Sequence, residues 1–308
     1  MSTLLIDLDP CVYRCGFASE KHSYHLVFRT NAAGMDEYVF HPTKDGGAGD
    51  QMKAWVAAMA GVEGFELLDK TMIVTPEPVA FALEATKFQI ESIIKEVGAK
   101  DVKAYLSGSG NYRYGVAKQR PYKGNRDAAI RPVHYEAIRA YLQEYWGAIV
   151  IDKIEADDEI SIRARGIHGV VIATIDKDLD QIPGMHYNYM KKVKYDIDET
   201  EAELFFYQQA LSGDSTDNIP GCYKVGNVKA QKIVNDAFSK VGEFGDVWSA
   251  VVDTYALSKE REGCPYADGD SGAVALETAR LVKLQEYEGQ LWNPPDVADE
   301  LVTEALYV

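Results

Sequence analysis

The chain has 308 residues, of which 46% are hydrophobic and 26% are charged, and its formal net charge is −16. This composition excludes a disordered chain, and no apolar stretch approaches the ~18 residues of a membrane span. The length fits one large α/β domain or two smaller ones. Four scattered cysteines predict neither a disulfide framework nor a zinc site. With no basic leader at the N-terminus, we expect a cytoplasmic protein that contacts no membrane.

Short apolar runs alternate with amphipathic stretches along most of the chain. Predicted strands lie at 3–8, 72–74, 101–106, 148–154, 170–174 and 187–195, and residues 20–50 are expected to form a hairpin-like excursion. Predicted helices cover 78–97, 132–146, 156–165, 201–211, a short stretch that begins at Gly226, and 272–288. This alternation predicts an α/β fold, in which helices flank a mainly parallel sheet and the site lies at the carboxyl ends of the strands.

Acidic residues follow several of these elements. A single acid after a strand usually caps a helix or forms a turn. Here there are four such groups. Three follow predicted strands: Asp7 after the first, Glu155 with Asp157 and Asp158 after the strand at 148–154, and Asp176 with Asp178 after the strand at 170–174. The fourth, Asp214 with Asp217, lies in the turn at 213–221. Because parallel strands end at one edge, we expect these groups to converge around cations that offset their repulsion. Carboxylates suit Mg²⁺ or Mn²⁺, and two such ions can support phosphodiester cleavage. Asp180 is expected to cap or solvate its turn.

Positive charge is concentrated in one segment. Residues 111–139 contain seven Lys or Arg residues and two acids, a net charge of +5, so the rest of the chain carries −21. An acidic body with one basic segment favours a nucleic-acid partner. A solvated basic loop is the alternative that the residues leave open.

The stretch 213–234 combines a turn with a glycine, Gly226, at the start of a helix that carries Lys229 and Lys232. Such a helix N-terminus can bind phosphate through its backbone amides. A plain helical hairpin is the alternative.

Four motifs together resemble the flap endonuclease/5′-nuclease family, in the order of that family. They are YKGNR (122–126), IEADDEI (154–160), IDKDLDQIPG (175–184) and LSGDSTDNIPG (211–221). The match runs from Asp7 to about residue 234, and ARLVKLQEYE (279–288) is similar to the C-terminal helix of phage 5′→3′ exonucleases. The resemblance implies a PIN-like 5′-nuclease core at 1–210, with a basic helical arch at about 111–140. It also implies a helical region at 205–308, with a helix–three-turn–helix DNA-binding element at about 205–238.

The same resemblance implies an activity. The family uses two Mg²⁺ ions, which Mn²⁺ can replace, and binds K⁺ at the helix–three-turn–helix. The expected substrates are DNA with a free 5′ end, a flap or a 5′ overhang, with RNA–DNA hybrids as a further candidate. A monomer in the cytoplasm of a phage-infected host, acting in DNA replication or recombination, is expected. A catalytically weakened DNA-binding protein and a PIN-type RNase are the alternatives.

Roles carry over residue by residue. The resemblance implies a tighter metal cluster of Asp7, Glu155, Asp157 and Asp158, and a second of Asp176, Asp178, Asp214 and Asp217. It implies contacts with the scissile phosphate and the unpaired strand for Arg113, Tyr122, Lys123 and Arg126, with Tyr122 as a stacking face. DNA-binding roles are expected for Lys118, Arg120, Gly221, Lys224, Gly226, Lys229 and Lys232.

Two positions depart from the family pattern. Gly108 stands where an aspartate is usual, so one carboxylate is missing, and we expect Gly108→Asp to lower the metal requirement. The triplet KVG (224–226) stands where a glycine-first triplet is commoner.

Overall fold

The computed structural model describes residues 2–30, 35–42, 47–126 and 130–295. Its strands are β1 (Thr3–Asp7), β2 (Glu20–Arg29), β3 (Asp36–Phe40), β4 (Glu66–Pro76), β5 (Asp101–Ser107), β6 (Ile149–Ile151), β7 (Val170–Thr174), β8 (Gly184–Asn188), β9 (Val193–Ile197), β10 (Gly213–Asp214) and β11 (Ile219–Pro220). Its helices are α1 (Asp9–Ala18), α2 (Ala48–Met59), α3 (Val79–Val97), α4 (Arg113–Val116), α5 (Tyr135–Trp146), α6 (Ala156–Arg165), α7 (Glu199–Ser212), α8 (Asn227–Val241), α9 (Phe244–Lys259) and α10 (Ser271–Val282).

The chain divides into two compact units. The first comprises 1–10, 92–130 and 146–308, and the second comprises 11–91 and 131–145. The predicted domain boundary at 205–210 falls inside α7 of the first unit, so the predicted domains and the compact units do not coincide. The segment predicted as an arch is divided at 130/131. Its described part before that point contains α4 and then turns, and residues 127–129 lie outside the described residues.

A mixed, mostly parallel sheet organises the first unit. Its order is β6-β5-β1-β7-β8-β9, in which β9 alone runs antiparallel to its neighbour β8. Every residue of β1 is buried, because the strand is central and both sheet faces are covered. The predicted fold class, a mainly parallel sheet flanked by helices, is confirmed. The carboxyl ends of β5, β1 and β7 lie side by side and set where the acids can meet.

The prediction of one strand at 187–195 is wrong, since two antiparallel strands, β8 and β9, occupy this region. The reversal uses Asn188, whose side-chain oxygen accepts hydrogen bonds from the backbone amides of Met190 and Lys191. Lys192 adopts a left-handed φ of 55°. Such an Asx turn reverses the chain without Gly or Pro, so the usual sequence signal was missing.

The second unit contains an antiparallel sheet of order β3-β2-β4. Helix α2 packs on one face, where Leu26, Phe28, Phe40 and Met52 form a buried cluster beside Trp55. The hairpin predicted within residues 20–50 is present as β2 and β3, but the sheet continues beyond this range to β4. The strand predicted at 72–74 is part of the eleven-residue β4, which pairs with β2.

Helices α7 to α10 pack on one another in the first unit around Phe206, Trp248 and Tyr255. In the described part of the chain, no helix is both long and apolar enough to cross a membrane.

The helix predicted at 272–288 ends early, at Val282. The residues that follow are extended because buried side chains take over their backbone groups. Arg113 donates from Nε to the carbonyl of Leu281 at 2.8 Å and from Nη2 to that of Lys283 at 3.0 Å. Asp158 accepts from the amide of Gln285 at 3.0 Å.

Arg113 and Asp158 also pair with each other. Nη1 lies 2.6 Å from Oδ2 and Nη2 lies 2.9 Å from Oδ1, and the two residues are 2% and 0% exposed. The planar guanidinium therefore joins α4, α6 and the 281–285 segment through one buried fork.

We predict that Asp158→Asn destabilises the protein by about 3–5 kcal/mol, because it leaves the Arg113 charge buried without its partner. The measurement is the free energy of unfolding in urea. Arg163→Leu is the matched control on the same helix, since its exposed bond to Glu159 is expected to contribute less than about 1 kcal/mol. Equal losses in the two variants would contradict a special role for the buried pair.

Candidate active site

Five carboxylates, which we call the carboxylate cluster, gather at the carboxyl edge of the main sheet. Asp7 ends β1, Asp157 lies in the first turn of α6, Asp176 and Asp178 follow β7 in a short 3₁₀ turn, and Asp214 lies in β10. The packing of these elements turns separate stretches of sequence into one acidic site. In the structure these five acids are linked by electrostatic contacts, Asp7 and Asp157 with each other and with Asp176, and Asp178 with Asp176 and Asp214.

Burial and mutual repulsion raise the pKa values of cluster members. The pKa of Asp7 is raised well above its usual value, first by burial and then by Asp9 and Asp176. The pKa of Asp157 is likewise raised by burial, and then by Asp7 and Asp176. Burial, Asp176 and Asp214 raise the pKa of Asp178 to about 7. The free protein thus disfavours full ionisation of these carboxyls, which a bound cation would favour.

The donor set fits a hard divalent cation. Its members all offer carboxylate oxygens, the ligands that Mg²⁺ and Mn²⁺ prefer. No hydrogen-bond donor in the described part of the chain reaches Asp157, although other acids surround it. Among the described residues, no three such side chains are already arranged around one point as ligands. The cluster is therefore a set of candidate donors, of which Asp157 most clearly needs a positive partner.

Glu155 and Asp217, also predicted as metal ligands, have cationic partners of their own. Lys123 pairs with Glu155, and Arg126 pairs with Asp217. The Tyr122 hydroxyl lies 2.6 Å from Glu155 Oε2 and 2.7 Å from Asp217 Oδ2. Burial opposes ionisation of Glu155, but Lys123 and Arg113 more than offset it and lower its pKa to about 2. We call these five residues, Tyr122, Lys123, Arg126, Glu155 and Asp217, the paired network.

The backbone brings the paired network together, because the YKGNR and GDSTDNIPG turns bind each other directly. The amide of Lys123 donates to the carbonyl of Asp217 at 2.8 Å, and the side chain of Asn125 donates to the carbonyl of Ser215 at 2.9 Å. Asn218 returns a bond to the carbonyl of Pro121 at 2.9 Å. Two motifs almost 90 residues apart thus form one structural unit beside the carboxylate cluster.

Three predicted roles are corrected by burial. Arg113 and Asp158 are bound to each other by two hydrogen bonds. Asp158 also accepts a hydrogen bond from the backbone amide of Glu155, as part of the capping box of α6. Neither reaches a phosphate or a metal without breaking that pair. Tyr122 is 4% exposed within the helical core, so it presents no stacking face. Its neighbour Tyr114, which sequence reasoning passed over, is 59% exposed at a ring distance of 5.6 Å.

The expectation for Gly108 is also wrong. A Cβ there would lie 2.8 Å from the carbonyl oxygen of Ile151 and would collide with the Asp152 carboxylate, so the position has no room for an aspartate. Asp152 instead accepts from the backbone amide of Ser109 at 2.7 Å. Asp9, which was not among the predicted site residues, lies near the cluster. It raises the pKa of Asp7, and its carboxylate accepts a hydrogen bond from the Ser107 amide at 2.9 Å. Its place two residues after Asp7 was the available signal.

The predicted DNA-binding residues lie in the first unit, and most of them are exposed. The exposed members are Lys118, Arg120, Lys224, Gly226, Lys229 and Lys232. Gly221 has another role, since a Cβ there would collide with the backbone of Ser212 and Gly213. Lys224 has a left-handed φ of 59°, which explains physically why glycine would suit the first position of this triplet. Asp180 is held by the Tyr195 hydroxyl at 2.8 Å.

The fold is that of the flap endonuclease/5′-nuclease family. The structure is similar to a crystal structure of the T5 D15 protein co-crystallised with metal ions, over 99% of this chain and 98% of that chain, with a TM-score of 0.53 and 16% identity. The bacteriophage T5 D15 flap endonuclease in complex with DNA and metal ions matches over 73% and 89%, with a TM-score of 0.47 and 19% identity.

The catalytic core of Rad2 in complex with a DNA substrate matches over 98% of this chain and 85% of that chain, with a TM-score of 0.40 and 12% identity. No family model and no curated protein sequence matches this chain. The resemblance inferred from the four motifs is thus confirmed at the level of the fold.

We predict that stabilisation by Mg²⁺ depends on pH. Because the pKa of Asp178 rises from 3.8 to about 7 on folding, the folded state binds the extra proton, and stability of the free protein falls as pH rises from about 4 to about 7. A cation that binds the ionised form offsets this loss. The increase in melting temperature with Mg²⁺ should therefore be larger at about pH 8 than at about pH 5.5. A shift independent of pH would contradict a role for the raised carboxyl pKa values.

Proposed function

We propose that this protein is a divalent-metal-dependent nuclease that hydrolyses phosphodiester bonds of DNA at 5′ ends and flaps. The observation that carries the proposal is the carboxylate cluster at the carboxyl edge of the mostly parallel sheet, in which the pKa values of Asp7, Asp157 and Asp178 are raised by burial and by neighbouring acids. Directly beside it lie Lys123 and Arg126, cations suited to phosphate. Action from the 5′ end is inferred from the motif resemblance, and the T5 D15 protein, which shares the fold, was co-crystallised with metal ions.

Divalent ions held by the cluster would activate water and stabilise the leaving oxygen of the cleaved bond. The residues proposed to hold them are Asp7, Asp157, Asp176, Asp178 and Asp214. Glu155 and Asp217 become available as metal ligands only when Lys123 and Arg126 bind another anion. A DNA phosphate is such a partner, because it offers Lys123 and Arg126 an anion equivalent to the carboxylates that they release.

The surface around the site can bind the rest of the strand. Tyr114 offers an exposed ring for a base, the role first expected of Tyr122. Exposed Lys229 and Lys232 on α8 can contact phosphates of a duplex. Two Mg²⁺ ions replaceable by Mn²⁺, a K⁺ ion at the turn before α8, RNA–DNA hybrids as further substrates, a monomeric state and a part in phage replication complete the proposal.

We predict that Asp176→Asn with Asp178→Asn abolishes cleavage of an end-labelled 5′-flap substrate. Both changes remove negative charge from the cluster, so affinity for the uncleaved DNA should stay equal or rise. Mg²⁺-dependent cleavage in gels and DNA binding by fluorescence anisotropy measure the two effects. Asp196→Asn at an exposed position of β9 makes the same type of change away from the cluster, with the loss of one charge, and should cleave normally. Full activity of the double variant would reject the metal assignment.

Inactivity of the wild-type protein on duplex, flap and hybrid substrates, at saturating Mg²⁺ and Mn²⁺, would instead favour the DNA-binding alternative. Cleavage of single-stranded RNA alone would favour the RNase.

We also predict that Lys123→Ala with Arg126→Ala slows cleavage and flattens the salt dependence of DNA binding. Each lost phosphate contact should change the log–log slope by about 0.9 on duplex DNA or about 0.7 on a single strand. Binding measured across a salt series tests this. Lys53→Ala with Lys70→Ala removes the same charge from exposed positions of the second unit and serves as the control. An unaltered slope and rate for the first variant would mean that its cations remain paired with Glu155 and Asp217.

A further inference from the structure

Two buried glutamines stand behind the carboxylate cluster. Gln209 of α7 is 2% exposed, and its Nε2 donates to Asp178 Oδ1 at 2.6 Å. Gln181, at the end of the 3₁₀ turn, is 4% exposed, and its Nε2 donates to Gln209 Oε1 at 2.7 Å. Neither glutamine belongs to the groups predicted as ligands or phosphate contacts.

The orientation of both amides is fixed by backbone groups at the end of α10 and in the extended segment that follows it. The Leu284 amide can only donate, and it lies 3.2 Å from Gln181 Oε1. The Val282 carbonyl can only accept, and it lies 2.7 Å from Gln181 Nε2. Gln181 must therefore present its NH₂ group to Gln209, which accepts through its oxygen and turns its own NH₂ toward Asp178. All hydrogen bonds in this chain are therefore donated in one direction, and the last is donated by the Gln209 amide to the Asp178 carboxylate.

Asp178 needs such a donor for positional reasons. It stands among acids that repel it, with Asp176 two residues away on the same turn, while the exposed Lys177 lies 3.7 Å from its Oδ1. A flexible lysine at that distance does not fix a rotamer, whereas a buried amide with its own partners does. The acid is thus held in place from the protein side.

We propose that Gln209 is a positioning residue that holds Asp178 ready to bind a divalent cation, and that Gln181 and the 282–284 backbone set the direction of its amide. The inference rests on the proposed function, since the cation is the one expected at the carboxylate cluster. It assigns the extended segment after α10 a part in the site, although that segment offers no ligand itself. Outer partners of this kind typically contribute about 10–100-fold to metal affinity.

The test is Mn²⁺ binding to the full chain, followed by isothermal titration calorimetry. Gln209→Met keeps the side-chain length and removes the donor, so Mn²⁺ affinity should fall by about tenfold or more. Gln209→Glu replaces the donor with a carboxylate that repels Asp178, so it should lower Mn²⁺ affinity at least as much. Gln181→Met should weaken binding as well, because Gln209 loses the partner that orients it.

Gln285→Met is the matched control. Gln285 is also buried and lies in the same segment, but its side chain bonds to the carbonyl of Gln290 and the amide of Gly289 rather than to the cluster. Its Mn²⁺ affinity should stay within about twofold of the wild type, a change smaller than outer-partner losses. Circular dichroism verifies folding of each variant, and Gln181→Met carries the test if Gln209→Met does not fold.

Cleavage separates this inference from the proposed function. At limiting Mn²⁺ the Gln209→Met protein should cleave slowly, and at saturating Mn²⁺ its rate should return toward that of the wild type. Wild-type cleavage together with unchanged Mn²⁺ affinity in the Gln209 and Gln181 variants would overturn the positioning role alone. Wild-type binding of Mn²⁺ without cleavage of any substrate would overturn the nuclease proposal, while calorimetry would still decide the role of Gln209.

Discussion

The buried pair of Arg113 and Asp158 is the interaction on which the rest of the site depends. A guanidinium removed from water is tolerated only if its donors are satisfied, and here its bonds go to one carboxylate and two carbonyls. Those partners belong to α6, to the last turn of α10 and to the segment after it. The pair therefore fixes the start of the basic segment, the helix that carries Asp157, and the backbone that orients Gln181.

The acids of the site fall into three groups according to what balances their charge. Asp158 is balanced permanently by a buried arginine, and Glu155 and Asp217 are balanced by Lys123 and Arg126 at the surface of the paired network. Among the described residues, the one cation paired with the carboxylate cluster is the exposed Lys177, 3.7 Å from Asp178. The pKa values of Asp7, Asp157 and Asp178 are raised accordingly. The division separates a structural acid from the acids paired with the proposed phosphate-binding cations and from the proposed metal ligands, among residues that look alike in sequence.

Adjacent residues can fall into different groups because of helix geometry. Asp157 and Asp158 are neighbours on α6, where successive side chains point about 100° apart. One enters the cluster and the other meets Arg113, so a single motif supplies both a candidate ligand and an anchor. Burial, and not helix geometry, separates Tyr114 from Tyr122, of which one is exposed and the other is enclosed by the helical core.

The sequence by itself determined the sheet class, most of the helices and the gathering of acids at one edge. Apolar runs of 4–8 residues predict buried strands, and parallel strands share their carboxyl edge. Four ordered motifs also determined the fold family. Tertiary structure alone decided which acids keep an unbalanced charge, that Gly108 has no room for a side chain, and that residues after Val282 leave the helix. These outcomes depend on partners up to 170 residues apart, such as Arg113 and Lys283, and no local pattern encodes such a pairing.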